Sequence, residues 1–358
     1  KGQAGRHFYL YPFYMVPCDK MISKNKSYFK NMIGRKIYIF FSALLLAFAA
    51  AGHCQGREPG SGFVPARGRL LVIGQQKDSM EIYIKEFGTV PAGFMIYTSI
   101  QELNGLEQPD DKGAGVGHGQ YWVDAYPGTV LQVGLYMVGA LPEILSGQYD
   151  DHLRKMGEWI LRTRRPVYLR IGYEFENKDN QYDPKQYQQA FRYIVDMFQK
   201  QGVTNAAFVW HSTAYPEGGA DVMDWYPGDA YVDWFGVSFF STQQSRPVEA
   251  FCRLAREHGK PVMIAESAPA GLYTTRGKLE WLKHFFDLIE KEDIKFVSYI
   301  NSDWDKLPMF AHMKWGNSRL HRTKELRDYW LSRVQNPSYL IYSPELFMIL
   351  GFSSIPLK

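Results

Sequence analysis

From residue 71 to residue 334 the chain alternates short, almost wholly apolar runs with longer stretches whose apolar residues recur at helical spacing. A strand buried on both faces needs the first kind of run, and an amphipathic helix gives the second. The apolar runs predict eight strands, over 71–75, 93–97, 130–136, 167–174, 207–211, 234–240, 261–266 and 296–301. Helices are expected over 79–87, 141–163, 184–201, 248–258, 278–292 and 323–334. Local signals support several of them: Asp183-Pro184 is an N-cap followed by proline at the first helical position, and Gly202 and Gly259 stand where helices end. Two connections lack helical periodicity. Residues 101–129 read as an elaborated, glycine-rich loop, and 215–231 holds at most one short turn around Asp221 to Trp225.

Eight βα units over this length predict the α/β class and a single catalytic domain with a (β/α)8 TIM-barrel fold. A doubly wound open sheet is the alternative, but no glycine fingerprint for a dinucleotide follows the first strand. The barrel is assigned to residues 69–336, with a tail over 337–358 that either packs under the barrel or is disordered.

The beginning of the chain has a different pattern. Residues 32–55 carry a basic segment, an apolar run from Ile37 to Ala51 and small residues before a polar stretch, the three parts of a secretory signal. The run is short for a membrane-spanning helix, which needs roughly 20 residues. Cleavage and export follow as the expectation, with no stable membrane insertion and a secreted, periplasmic or cell-surface location. Lipid anchoring at Cys54 ranks lower, because His53 is not the small residue that such a site needs before it. Residues 1–31 read as an upstream extension, and the Gly/Pro-rich 56–68 as a linker.

Composition narrows the function. Of 358 residues 46% are hydrophobic and 16% aromatic, enough for a large core. The net charge of +4 comes from the first sixty residues, so the barrel has no basic stripe and no nucleic-acid partner is expected. Cys18, Cys54 and Cys252 are too few and too scattered for a disulfide framework or a metal site, and Cys252 is expected in the core. No His-x-His or clustered His/Asp pattern marks the strand ends, so no metal or cofactor is expected, and the protein is read as a monomer.

In a TIM barrel the chemistry sits at the C-terminal ends of the strands. Only two predicted strands run directly into a carboxylate: 167–174 into Glu174 and 261–266 into Glu266. Two carboxylates across a cleft are what glycoside hydrolysis requires, one protonated for the leaving oxygen and one ionised for the developing positive charge at the anomeric carbon. Glu176 shares the strand parity of Glu174 and is a competing acid, further from the strand.

The order Arg170-Ile-Gly-Tyr-Glu174, Asn205-Ala-Ala-Phe-Val-Trp-His211, Tyr226-Pro-Gly-Asp-Ala-Tyr-Val-Asp-Trp-Phe-Gly236 and Lys260-Pro-Val-Met-Ile-Ala-Glu266 resembles glycoside hydrolase family 26, whose mannanases are its familiar members. The resemblance runs from about residue 71 to residue 330. It implies a retaining enzyme with Glu174 as acid/base and Glu266 as nucleophile. It also departs from the family pattern: Tyr173 stands in place of a histidine and Glu176 in place of an asparagine, with Asn177 one step later. Arg170, Tyr173, His211, Trp304, Glu176 and Asn177 are assigned to substrate binding. Trp304 is expected to floor the sugar site; Arg170 has a barrel-interior ion pair, and His211 a satisfied buried histidine, as its plain alternative.

The expectation is therefore an O-glycoside hydrolase acting on a β-linked cell-wall or algal polysaccharide, mannan-like or mixed β-glycan, with internal cleavage. The alternative is a carbohydrate-binding barrel protein with impaired turnover.

Overall fold

Eight parallel strands close into a barrel in the computed structural model, which describes residues 62–214 and 221–353. In chain order the elements are β1 (Arg69–Gly74), α1 (Lys77–Phe87), β2 (Gly93–Ser99), α2 (Gly119–Ala125), β3 (Val130–Tyr136), α3 (Leu141–Leu145), α4 (Asp150–Thr163), β4 (Val167–Ile171), α5 (Pro184–Lys200), β5 (Ala206–Ser212) and β6 (Trp234–Phe239). They continue with α6 (Ser245–Glu257), β7 (Val262–Ser267), α7 (Thr275–Lys291), β8 (Phe296–Ile300), α8 (Lys324–Val334), β9 (Tyr339–Leu340) and α9 (Leu346–Ile349). Strands β1 to β8 pair in sequence order, and β1 pairs with both β2 and β8, which closes the ring of a (β/α)8 barrel. The extra strand β9 lies parallel to the first two residues of β1, at the N-terminal end of the barrel.

The strands form because nearly every residue in them is buried, one parity against the helices and the other inside the barrel. Leu71, Ile73, Val133, Leu169, Phe235 and Ile264 belong to the core between strands and helices. Leu70, Val72, Met95, Tyr168, Val209, Trp234, Met263 and Phe296 fill the interior. The same interior parity carries Gln132 on β3, Arg170 on β4, His211 on β5 and Ser238 on β6, all buried. Polar side chains inside a barrel need partners. Gln132 finds them in Ala265 O, to which it donates at 2.7 Å, and in the Ser298 hydroxyl, which donates to its Oε1.

Several expectations change. The stretch 141–163 is two helices, because a turn closed by Gly147 N to Ile144 O (3.1 Å) and Gln148 N to Glu143 O (2.9 Å) ends the first. The loop 101–129 contains α2, held by Trp122, which is fully buried and stacked on Phe94 at 4.0 Å. Strand β4 stops at Ile171, three residues before Glu174. Residues 62–68, read as linker, instead plug the barrel bottom: Trp234 Nε1 donates to Gly62 O at 2.6 Å, Tyr168 Oη donates to Phe63 O at 2.7 Å, and Phe63 packs edge-on to Phe352. The C-terminal segment packs there too, through β9, Leu346 and Leu350. The turn expected near residue 221 is a short 3-10 helix, Val222–Trp225, and Cys252 is buried on α6 as expected. The signal at 32–55, the extension 1–31 and Cys54 lie outside the described residues. Among the described residues no helix is long and apolar enough to cross a membrane.

Candidate active site

The backbone leaving β4 turns twice through left-handed conformations, at Gly172 (φ 55°) and at Glu174 (φ 52°). Gly172 is required there: a Cβ would meet Met137 Cε at 2.6 Å and Tyr187 Cε2 at 2.8 Å, and its conformation disfavours other residues. The turn is pinned to its neighbours by Gly172 N to Leu135 O (3.0 Å) and Phe175 N to His211 O (3.3 Å). Asn180 Nδ2 holds it from outside, donating to Tyr173 O at 3.2 Å and Glu174 O at 2.9 Å. Strand alternation no longer applies, so three consecutive side chains part company. Glu174 reaches Ser238 on β6, Phe175 stacks on Trp210 at 4.5 Å in the helix layer, and Glu176 reaches the end of β5.

Glu266 arrives by a different device. Met263 and Ala265 face the barrel interior and Ile264 faces out, so simple alternation would send Glu266 outward. The β6–β7 ladder shifts register between Val237 and Ser238: Val237 pairs with Ile264, but Ser238 pairs with Glu266. This bulge inserts one residue and re-aims Glu266 into the barrel mouth, where it meets Arg170.

Arg170 is the centre of the cluster. Its guanidinium is fully buried and lies against the rings of Tyr97 (4.9 Å) and Tyr173 (5.1 Å). Gly134 provides the room, since a Cβ there would come within 2.9 Å of Arg170 Nη2 and 2.7 Å of Tyr97 Cδ1. Arg170 Nη1 donates to Glu266 Oε1 and lies 3.3 Å from His211 Nδ1. On the other side of the imidazole, His211 Nε2 is 3.0 Å from Ser238 Oγ, and Ser238 Oγ donates to Glu174 Oε1 at 2.7 Å. One continuous hydrogen-bonded chain therefore joins the two carboxylates: Glu266, Arg170, His211, Ser238, Glu174.

The electrostatics separate the two carboxylates. Burial, and then the charge of Glu266, push the Glu174 carboxyl up to about 7, against the opposing hydrogen bond from Ser238. Glu266, 8% exposed, has the permanent cation of Arg170 as its partner. Burial, and then Arg170, hold His211 well below the usual histidine range, so it is neutral. Burial, and then Glu266, keep Tyr97 and Tyr173 protonated far above neutral pH.

The structure thus brings together Arg170, Tyr173, Glu174, His211 and Glu266. Glu176 stands apart: its Oε1 accepts from the hydroxyls of Ser212 and Thr213, its Oε2 is buried without a hydrogen-bond partner, and burial raises its pKa. Asn177 caps the short 3-10 helix Lys178–Asn180 by accepting from Asp179 N at 3.0 Å. Trp304 is 1% exposed and packed edge-on against Phe310 (4.8 Å) and Trp315 (5.1 Å), so its ring is packed rather than presented as a floor. No role was read from the sequence for Ser238, Tyr97 or Asn180. Interior parity alone could have raised the first two, since Ser238 follows Trp234 and Gly236, and Tyr97 follows Gly93 and Met95. Among the described residues no group of three His, Cys, Asp or Glu could hold a metal ion.

Residues 165–314, from the start of β4 to beyond β8, match the model of glycosyl hydrolase family 26. A beta-1,3-xylanase of a Vibrio species is 32% identical over 87% of this chain and 75% of its own length. A beta-1,3-xylanase of an Alcaligenes species is 30% identical over 87% of this chain and 73% of its own length. Among solved structures, a family 26 beta-mannanase from Bacteroides ovatus shares the fold with a TM-score of 0.57 at 14% identity, over 77% of this chain and 91% of that one. With its closed barrel and its match to these relatives, the chain belongs to glycosyl hydrolase family 26 and is an O-glycoside hydrolase.

Proposed function

We propose that the protein is an endo-acting, retaining hydrolase of β-1,3-linked xylan, with Glu174 as acid/base and Glu266 as nucleophile. The observation that carries the reading is the chain of hydrogen bonds joining two carboxylates in opposite electrostatic environments. Glu174, with its pKa near 7, is protonated in much of the protein at neutral pH and gives its proton to the glycosidic oxygen as the bond breaks. Glu266, held in place by its ion pair with Arg170, attacks the anomeric carbon, forming a glycosyl-enzyme. Glu174, now ionised, takes a proton from the incoming water, which releases the sugar with its configuration retained. Protonated Tyr173 at the cleft supplies a hydroxyl for the substrate or the nucleophile.

Glu174 is preferred to Glu176 because it belongs to the chain that reaches Glu266, whereas the carboxylate of Glu176 is taken up by Ser212 and Thr213. The choice of xylan over mannan rests on the two xylanase relatives and on Tyr173 and Glu176, where the mannanase pattern has other residues. Export, read from residues 32–55, suits a polymer outside the cell.

The experiment measures reducing ends released from β-1,3-xylan, β-1,4-xylan and β-1,4-mannan by wild type and by Glu174→Gln, Glu176→Gln and Glu266→Gln. Wild type should act on β-1,3-xylan, and the first and third variants should lose about 10²-fold or more. Glu176→Gln should lose less than tenfold. Binding of a polysaccharide by wild type without release of ends from any of the three would overturn turnover on these β-glycans. Greater loss in Glu176→Gln than in Glu174→Gln would reassign the acid.

A further inference from the structure

Arginine has no acceptor and does not deprotonate in a protein. Because Arg170 Nη1 faces His211 Nδ1, that nitrogen has to be the acceptor, and the single proton of the neutral imidazole sits on Nε2. Nε2 then donates to Ser238 Oγ, and the serine's own proton has one remaining direction, toward Glu174 Oε1. The alternative tautomer would set two N–H groups against each other between β4 and β5. The direction of every bond is thus set at the arginine end.

We infer that Arg170, His211 and Ser238 form a one-way relay that occupies Glu174 Oε1 as an acceptor in both ionisation states and confines the catalytic proton to Oε2. His211 and Ser238 are positioning residues: they fix which oxygen of the acid carries the proton and stabilise its ionised form between the two halves of the reaction. The proton that leaves Oε2 for the glycosidic oxygen finds its place on the same oxygen when water is deprotonated, so the acid resets without rotating its carboxyl group. The inference rests on the assignment of Glu174 as acid/base, although the direction of the relay does not.

The charged and titratable groups around Glu174 are Glu266 on β7, Arg170 on β4, Tyr173 and Glu176 in the turn after β4, and neutral His211 on β5. Glu266 and Glu176 raise its pKa, while Arg170 and the Ser238 hydroxyl lower it. Loss of one charge-assisted hydrogen bond to a half-buried carboxylate should raise its midpoint by about one pH unit.

The test is a ¹³C NMR titration of the full-length protein labelled at the glutamate side-chain carboxyl, with the Glu174 signal identified by its disappearance in Glu174→Gln. Ser238→Ala should titrate about one unit above wild type. His211→Gln, whose amide can accept from Arg170 and donate to Ser238, should keep the wild-type midpoint; His211→Leu, which frees the Ser238 hydroxyl to turn away from Glu174, should rise to a value between wild type and Ser238→Ala. Circular dichroism and thermal midpoints establish that each variant is folded, and Ser238→Ala decides the matter if His211→Leu does not fold. An unchanged midpoint in Ser238→Ala would overturn the relay, as would equal midpoints in folded His211→Gln and His211→Leu. The titration does not use turnover, so failure of the acid/base assignment shows separately, as retained activity in Glu174→Gln.

Discussion

Replacing Glu174 by glutamine should make the protein more stable at alkaline pH and leave it nearly unchanged in acid. The folded protein holds the Glu174 proton until about pH 7, while the unfolded chain releases it near the ordinary value of 4.5. Between those two values the folded state binds more protons than the unfolded state, so stability falls as pH rises. The cost is absent below about pH 4.5, grows through the interval and is complete above about pH 7. At about 1.4 kcal/mol per unit the gap corresponds to about 3 kcal/mol. Glutamine keeps the shape, and its oxygen can still accept from Ser238, but it carries no charge to desolvate beside Glu266. Thermal or urea unfolding of wild type and Glu174→Gln at pH 4.5 and pH 8.5 reads the effect as a difference of differences, in which other titrating groups cancel. At pH 8.5 the variant should be the more stable by about 3 kcal/mol, a rise of roughly 6–12 °C in Tm for a domain of this size. At pH 4.5 the two should nearly coincide. A difference that does not vary with pH, or a wild type that gains on the variant as pH rises, would refute the reasoning.

Two further substitutions address the supports of the site. Arg170→Met leaves Glu266 as a buried charge without its partner and should destabilise the protein by about 3–5 kcal/mol, with activity falling at least tenfold; adding Glu266→Gln should restore part of the stability but none of the activity, both readable by urea unfolding and reducing-end release. Gly172→Ala forces a side chain onto a left-handed residue and into Met137 and Tyr187, so it should cost about 1–3 kcal/mol in unfolding experiments and lower kcat more than it raises KM, by displacing Glu174.

The strands were legible because each is buried on both faces and so stands out as an apolar run between polar segments. The fold class followed from their number and spacing. What escaped the sequence was local geometry with a tertiary cause. Nothing in Arg170-Ile-Gly-Tyr-Glu174 announces that β4 ends at Ile171 and that two left-handed residues then redirect the chain, so the strand parity from which Glu174 was read does not hold. Glu266 has the wrong parity altogether and reaches the cleft through a bulge visible only in the pairing of β6 with β7. Ser238 is a small residue in an apolar strand, and its role depends on His211 and Glu174 standing on either side of it. Residues 62–68 have the composition of a linker, yet their carbonyls are anchored by Trp234 and Tyr168 inside the barrel. Trp304 was expected as a sugar platform because of its position after the last strand, and it is packed against Phe310 and Trp315 instead.

The central claim is that Glu266 forms a covalent bond to the sugar while Glu174 handles the proton. Incubation with an activated 2-deoxy-2-fluoro β-1,3-xylo-oligosaccharide, followed by proteolysis and mass spectrometry, tests it directly, because the fluorine slows release of the glycosyl-enzyme more than its formation. The account predicts one adduct, on the peptide that carries Glu266 and absent from Glu266→Gln. An adduct on Glu174 or Glu176, or turnover of the natural polymer without any trapped intermediate, would contradict it.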